Sequence, residues 1–261
     1  MKDWFGKIGG RVFEALRTFG GMMVLLWDLG IALFTQRPRW RETLYQFHQV
    51  GAKSQPVVLV TGAFTGMVFA AQTYFQFKRI QMETAVGPVV SVAMCRELGP
   101  VLTSLMVAGR VGASMAAELG TMRVTEQIDA LRAMATHPVD YLVAPRFVAL
   151  VVSMPLLAAE AIALGILSGY FVGVHMMGIQ GAYFMDNMIK FTEARDVWMG
   201  LIKSFIFGGF IALIACYKGF YCKEGAEGVG LATTQAVVAG SLTVLISNFF
   251  IALLLNRIIP M

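Results

Sequence analysis

The run VGPVVSVAMCRELGPVLTSLMVAGRVGASMAAE, residues 86–118, is the most informative part of this sequence. It is longer than the ~20 apolar residues that a helix needs to cross a ~30 Å hydrocarbon core, and charge is confined to a few positions. The Gly99-Pro100 pair should break or kink this helix, because proline lacks an N–H donor and disfavours helix at the residue before it. The run therefore predicts a long, interrupted membrane-spanning helix.

The composition of the whole chain supports this interpretation. Of its 261 residues, 57% are hydrophobic and only 14% are charged, whereas soluble domains have about 25% charged residues. This excludes a compact soluble fold. We predict an all-α membrane protein, one domain over residues 1–261, with a transmembrane core at 55–256. Its five predicted spans are 55–76, 86–118, 143–175, 197–217 and 231–256.

The first 54 residues predict an interfacial N-terminal region. Apolar residues recur at three- and four-residue steps on one face of an amphipathic helix, typical of a helix lying on a membrane surface. They are Phe5, Ile8, Val12, Leu16 and Phe19. Residues 21–35 are apolar but short and contain Asp28, so we predict an interfacial or half-inserted segment there.

The distribution of basic residues predicts the orientation. Of the 21 Lys and Arg residues, 13 lie in segments on the N-terminal side of the predicted membrane and five on the other side. Because cytoplasmic segments are enriched in Lys and Arg, we expect a cytoplasmic N-terminus and a C-terminus on the outer side. The same distribution accounts for the net charge of +5 without nucleic-acid binding.

Small residues at four-residue spacing predict close helix packing. Such spacing lets helix backbones approach where hydrophobic burial gives no drive for association. The pattern occurs at Gly62 and Gly66, at Gly109 and Ala113, and at Gly165, Gly169 and Gly173.

Charged residues inside the predicted spans are candidate functional positions, because charge is unfavourable at membrane depth. Arg96 and Glu97 fall near the middle of the second span; they either face a cavity or belong to a structural ion pair in the bundle. Glu160 and Lys203, on the third and fourth spans, have roughly matching predicted depths. We expect these two residues to pair, chiefly for structure.

Residues 121–137, TMRVTEQIDALRAMATH, predict a short cytoplasmic amphipathic helix that ends at Pro138. Its spacing also allows ion pairs between Arg123 and Glu126 and between Asp129 and Arg132. Such a helix docks either on the lipid surface or on a protein, and its acidic residues favour a protein partner over an anionic leaflet.

The sequence shows no pattern of catalytic residues. The glycine-rich GAEGVG at 225–230 lacks the GK[ST] ending of a phosphate-binding loop and follows no strand. The three histidines lie on different segments, and the cysteines have neither CxxC nor zinc-ligand spacing. We therefore predict no enzymatic activity, metal or cofactor for this chain itself.

The run RELGPVLTSLMVAGRVGASMAAELGTMRVTEQIDALRAMATHPVDYLVAPR, residues 96–146, resembles the MlaE-type permease family, the membrane subunits of bacterial ABC systems that work with MCE-domain proteins. The resemblance continues at GLIKS (200–204) and GAEGVGLATTQAVV (225–238) and covers nearly the whole chain. The RELGP, AGR-G-S and EQ-DAL clusters are specific in combination.

The resemblance implies a homodimeric permease in the bacterial inner membrane that moves phospholipids or related lipids between the inner and outer membranes. ATP and Mg²⁺ would be used by a separate cytoplasmic ATPase subunit, and a periplasmic MCE-domain protein would lie above the outer mouth. Residues 121–137 would be the coupling helix that contacts the ATPase. Its implied positions are Val124, Glu126, Ile128, Asp129, Leu131, Arg132 and Met134.

The resemblance also implies an outward-facing lipid cavity between two copies of the chain. Flexible and flat apolar side chains suit acyl chains of varied length. The implied lining is Met67, Val68, Ala71, Tyr74, Phe75, Phe77, Arg96 and Glu97.

Two alternatives stay open at this point. An ion-coupled secondary transporter of a hydrophobic substrate would use Glu97 or Glu160 as a relay, although the inverted repeat typical of that class is not seen. An intramembrane lipid enzyme would need clustered His, Asp or Ser groups, which the sequence does not supply.

Overall fold

The computed structural model describes residues 2–35, 39–223 and 225–258, and in the first helix the side chains of residue 13 and of residues 16 onward. These ranges contain helices and no strand, which confirms the all-α prediction. The helices are α1 (Lys2–Thr35), α2 (Trp40–Lys78), α3 (Glu83–Val124), α4 (Gln127–Ala133), α5 (Val139–Met176), α6 (Gly181–Phe191), α7 (Ala194–Phe220) and α8 (Gly225–Ile258).

Six helices in the described ranges are long and apolar enough to cross a membrane. Five of them, α2, α3, α5, α7 and α8, contain the five predicted spans. The sixth is Leu16–Thr35 within α1, where the sequence predicts an interfacial segment. Asp28 does not interrupt this helix, which runs unbroken from Lys2. The predicted amphipathic positions Phe5, Ile8 and Val12 lie outside the described side chains.

The two ends of the bundle carry different elements. The amphipathic helix α6 lies beside the start of α3, where Asn187 donates to the Thr84 carbonyl at 3.3 Å. The short helix α4 lies beside the end of α7, where the Arg132 guanidinium is 5.8 Å from the Phe220 ring centre. These ends are named the α6 end and the α4 end below.

Small residues bring α2 and α5 together along much of their length. A Cβ on Gly62 would lie 2.8 Å from the Ala161 carbonyl oxygen, and Gly66 meets Gly165 more closely still. Ser168 Oγ donates to the Ala63 carbonyl at 2.8 Å across the same contact. The predicted close packing of the first and third spans is therefore confirmed. In the second span, however, a Cβ on Gly109 would meet nothing within 4 Å in the described chain.

The described helices contain five π-helical turns, a conformation that normally accounts for well under 1% of residues and is frequent at functional sites. The turns are His48–Ala52, Met94–Leu98, Ala108–Gly112, Val139–Val143 and Val172–Met176. The second of them ends just before Gly99-Pro100. The second span does not break at Gly99-Pro100; the helix continues past it, with a π-helical turn immediately before the pair.

The centre of the bundle is built around α7, whose buried residues contact α3, α5 and α8. The helix α8 packs through one narrow face of small residues and leaves most of its apolar side chains exposed, as lipid-facing helices do. The buried face carries Gly228, Ala232, Ala236, Gly240 and Val244.

Candidate functional site

One backbone carbonyl of α3, that of Arg96 in the π-helical turn Met94–Leu98, lacks its α-helical donor because of Pro100. In an α-helix the Arg96 carbonyl would accept from the N–H four residues later, but that residue is Pro100, which has none. Lys203 Nζ, on α7, donates to this carbonyl at 2.9 Å instead. Gly200 permits the approach, since any side chain there would collide with the Cys95 carbonyl.

Lys203 also forms the ion pair at the centre of the site. Its Nζ lies 2.7 Å from Glu97 Oε1, and Asn248 on α8 donates to the other carboxylate oxygen at 2.9 Å. The Lys203 side chain is only 2% exposed, whereas that of Glu97 is 45% exposed. The pair therefore ties α3 to α7 and α8, and it leaves one side of the carboxylate accessible.

Arg96 makes a second ion pair beside the first. Its Nε and Nη2 lie 2.7 Å and 2.6 Å from the same oxygen of Asp196. The other Asp196 oxygen accepts the backbone N–H of Glu193 at 3.0 Å, within the capping box that begins α7. These contacts and those of Lys203 define the RELGP network, which consists of Arg96, Glu97, Asp196, Lys203 and Asn248.

The predicted pair between Glu160 and Lys203 does not form. Glu160 accepts a hydrogen bond from Gln55 at 2.9 Å, because its face of α5 is turned towards α2. Lys203 faces α3 and is occupied there. Matching depth was the basis of the prediction, but the helix face decides which partner a side chain reaches.

An open pocket of ≈ 630 Å³ adjoins the RELGP network towards the α6 end. Its polar lining consists of Arg96, Glu97, Lys190, Glu193, Arg195 and Asp196. Its apolar lining consists of Pro88, Val89, Val92, Ala93 and Phe191. Paired charges next to an apolar wall suit a molecule with a polar and an apolar part.

The predicted cavity residues of α2 do not line this pocket in the single chain. Tyr74 is buried among Val86, Val90 and Phe184, and Phe77 packs against the same cluster. Val68 and Phe75 are exposed on the outer surface of the bundle. Met67 and Ala71 are half-buried. Lipid contact by these α2 residues stays a prediction.

The predicted coupling helix is shorter than the sequence suggests. Val124 is the last residue of α3, and Glu126 follows with a left-handed φ of 59°. The separate helix α4 then comprises only Gln127–Ala133. A left-handed residue breaks the helical repeat, so the continuous amphipathic helix predicted over 121–137 is wrong.

The charges and apolar residues of α4 divide between two surfaces. Asp129 pairs with Arg132 at 3.0 Å, as predicted, but Arg123 pairs with Asp129 at 2.6 Å instead of with Glu126. Ile128 is fully buried in a cluster of α1, α3, α5 and α7 side chains, and Leu131 packs at its edge. Glu126 and Met134 are exposed and face away from the bundle.

Sequence reasoning missed Asp196 and Asn248. Asp196 had a signal, because an acidic residue three positions after Glu193 at the start of a helix is typical of helix capping. Asn248 had a weaker one, since a polar amide in the middle of an apolar span needs a partner at membrane depth. Within the described ranges, no three His, Cys, Asp or Glu side chains are grouped so as to hold a metal ion.

Comparison with known proteins identifies several relatives. A probable ABC transporter permease protein of Rickettsia conorii is 46% identical over 209 residues, which are 80% of this chain and 81% of that protein. The chloroplastic protein TRIGALACTOSYLDIACYLGLYCEROL 1 of Arabidopsis thaliana is 39% identical over 213 residues, 82% of this chain and 61% of that protein.

A third relative matches nearly end to end. The intermembrane phospholipid transport system permease protein MlaE of Haemophilus influenzae is 35% identical over 252 residues, 95% of this chain and 96% of that protein. The profile of the family described as Permease MlaE matches residues 43–254, which include all of α3, α5 and α7 and the whole RELGP network. The chain therefore belongs to the MlaE permease family.

Proposed function

We propose that this chain is the permease subunit of a bacterial ABC transporter that moves phospholipids or related lipids between the inner and outer membranes. The Haemophilus influenzae relative is named as a permease of intermembrane phospholipid transport. The observation that carries the proposal is the pocket in which the RELGP network adjoins an apolar wall. A phospholipid has the same division between a charged headgroup and apolar tails.

The complete lipid cavity is proposed to need two copies of the chain. Val68 and Phe75 point away from the bundle, so a second copy facing them would enclose acyl chains between the two α2 helices. Tyr74 supports this wall from behind, through its packing on the α3 start. The chain would thus act as a homodimer, with Arg96 and Glu97 at the polar end of each half-cavity.

The α4 end is proposed to receive the ATPase. Glu126, Asp129, Arg132 and Met134 form an exposed, largely charged surface there. Ile128, buried on the opposite side of α4, would transmit movement of this surface to the bundle. ATP and Mg²⁺ would bind the ATPase subunit, which would bias the permease towards the arrangement it binds better.

The orientation follows from this assignment. The α4 end would be cytoplasmic, the C-terminus of α8 periplasmic, and the protein would reside in the bacterial inner membrane. A periplasmic MCE-domain protein would then contact the α6 end, above the open pocket. The excess of Lys and Arg on the N-terminal side supports this orientation.

Copurification tests the proposal. We expect the chain, isolated from its native membrane in mild detergent, to bring down a soluble ABC ATPase and to carry phospholipid detectable by mass spectrometry. Val92→Asp places a charge on the apolar wall and should remove most of the lipid, while the control Val92→Leu keeps it. Absence of both ATPase and phospholipid, or equal lipid in the two variants, would overturn the proposal.

The ion-coupled alternative has less support from the contacts. Both oxygens of Glu97 already accept from Lys203 and Asn248, so an ion bound there would have to displace contacts that tie α3 to α7 and α8. Glu160 contacts Gln55 through one oxygen and lies outside the pocket.

A further inference from the structure

A second polar cavity lies towards the α4 end, at the other π-helical turn of α3. It has a volume of ≈ 190 Å³ and lies between α2 and the half of α3 that is nearer the α4 end. Its polar lining residues are Gln46, Gln49, Arg110, Ser114 and Glu118. The cavity is large enough to hold several waters or a small polar group.

Arg110 is the unusual member of this lining. Its Nη1 donates to Ser54 Oγ at 2.5 Å, and Ser54, which is buried, donates its own proton to the Val50 carbonyl. Among the described residues, no carboxylate lies within 4.0 Å of the Arg110 guanidinium. A hydroxyl orients a guanidinium but does not neutralise it.

The acidic residue of the cavity is already engaged. Glu118 Oε2 accepts from Arg146 at 3.1 Å, and its other oxygen is 3.5 Å from Ser114 Oγ. Arg146 is buried and also donates to the Leu142 carbonyl at 2.7 Å. The Glu118–Arg146 pair is therefore neutral as a unit, and the charge of Arg110 is left without a counterpart in the described chain.

A half-buried guanidinium without an ionic partner favours an anion beside it. Guanidinium groups present a planar fork of N–H donors that matches two phosphate oxygens, and Ser54 occupies only one Arg110 nitrogen. The Gln46 amide adds a neutral donor to the same cavity. A phosphate group meets all three features: negative charge, several acceptor oxygens and small size.

We infer that the Arg110 cavity binds a phosphate group, either the phosphodiester of a lipid headgroup or a free phosphate ion. The lipid case rests on the proposed function. It adds a second headgroup-binding site, which lies in the half of the bundle nearer α4 and is separate from the pocket at the RELGP network. Arg110 and Arg96 are 14 positions apart on α3, or about 21 Å along the helix at 1.5 Å per residue.

The test measures binding of small ligands to the purified ATPase–permease complex without ATP. Binding does not require transport, so the result can be interpreted even if the complex does not transport lipid. Three probes are titrated by calorimetry: inorganic phosphate, dihexanoylphosphatidylglycerol below its micelle concentration, and dihexanoylglycerol, which lacks the phosphate. We expect Arg110→Gln to weaken one site per chain for a phosphate-bearing probe at least tenfold and to leave dihexanoylglycerol binding unchanged.

Two further variants separate loss of the site from loss of the fold. Arg110→Lys keeps the charge without the fork and should give an intermediate affinity. Lys218→Gln, at a half-buried cation that contacts Gln235, should bind like wild type. Arg110-dependent binding of phosphatidylglycerol alone identifies a headgroup, and equal binding of inorganic phosphate identifies a free ion. The inference is overturned if Arg110→Gln binds both phosphate probes like wild type, or if wild type binds neither.

Discussion

The two π-helical turns of α3 have the same length and the same arginine position, but their arginines differ in whether a carboxylate neutralises them. Each is five residues long with an arginine at its third position, Arg96 in Met94–Leu98 and Arg110 in Ala108–Gly112. Arg96 is paired with Asp196 at 2.6 Å, whereas Arg110 has the Ser54 hydroxyl as its described protein partner. The same backbone device therefore supports a closed ionic network in one place and an open cationic cavity in the other.

The difference arises from the neighbouring helices. The start of α7 lies next to the first turn. It supplies Asp196 from its capping box and Lys203 seven residues later. At the second turn, α2 presents neutral side chains from its own π-helical turn. A π-helical turn changes the hydrogen bonding and the direction of side chains within a helix. The residues on the neighbouring helix then determine whether those groups are paired within the protein or are available to a ligand.

Removing the cation of the first turn should have the largest effect. Lys203→Met removes the cation of Glu97, which keeps only the Asn248 amide, and the side-chain donor of the Arg96 carbonyl. Breaking a buried ion pair costs about 3–5 kcal/mol, and because Glu97 is 45% exposed we expect about 2–3 kcal/mol here. Thermal unfolding in detergent measures this, with Lys218→Met as a control. Recovery of part of the loss in Lys203→Met/Glu97→Gln is expected; no loss in the single variant would refute the assignment.

Restoring a backbone N–H at position 100 tests whether Lys203 replaces the missing donor of the Arg96 carbonyl. Pro100→Ala supplies an N–H that competes for the Arg96 carbonyl, so Lys203 loses one of its two roles. The destabilisation caused by Lys203→Met should then be smaller by about 1 kcal/mol, the usual net value of a hydrogen bond. A double-mutant cycle gives this number directly. Strictly additive effects would show that the carbonyl contact is energetically silent.

Removing the arginine of the second turn should change the stability of the protein much less than Lys203→Met does. Arg110→Gln removes one hydrogen bond to Ser54 but also removes an unneutralised charge, and these effects oppose each other. We expect the stability of the ligand-free protein to change by less than about 1 kcal/mol, measured in the same unfolding assay. A loss as large as that of Lys203→Met would mean that Arg110 is a structural joint like Arg96.

A labelling experiment determines which side of the membrane each turn is nearer. Cys222, between α7 and α8 at the α4 end, is partly exposed, whereas Cys95 and Cys216 are buried. Burial raises the pKa of the Cys222 thiol. Because the thiolate reacts, labelling by an impermeant maleimide should be slow at neutral pH and accelerate as pH rises, with a midpoint above that of a free thiol.

The orientation predicts the sidedness of that reaction. Inverted membrane vesicles, which expose the cytoplasmic face, should react, and intact right-side-out vesicles should not. A Cys222→Ser variant gives the background. Labelling confined to right-side-out vesicles would reverse the orientation and place the Arg110 cavity nearer the outer side.

Sequence reasoning predicted the helices better than their contacts. Apolar length and glycine spacing are properties of single segments, so the five spans and the close packing at Gly62 followed from them, whereas the choice of α5 as the partner of α2 did not. The partner of Lys203 depends on which face each helix turns to the others. A π-helical turn rotates every later residue, so the face of Glu97 could not be obtained by counting from the start of α3.

The α4 segment shows the same limit. The periodicity of 121–137 placed Ile128 on the apolar face of a helix, and the structure buries it completely, so Ile128 has no surface left for the direct ATPase contact that the resemblance implied. It could not show the left-handed Glu126, which separates α3 from α4. That conformation is favoured by tertiary packing of α4 under α1 and α7, not by the local sequence, since glutamate has no intrinsic preference for it.

We propose above that this chain moves lipid with the energy of ATP hydrolysis. The most direct measurement is transfer of a fluorescent phospholipid out of vesicles that contain the purified permease and its copurified ATPase. We expect transfer that requires hydrolysable ATP, persists when the proton and sodium gradients are collapsed, and falls at least tenfold in Val92→Asp but not in Val92→Leu. Transfer that is driven by an ion gradient without ATP would contradict it.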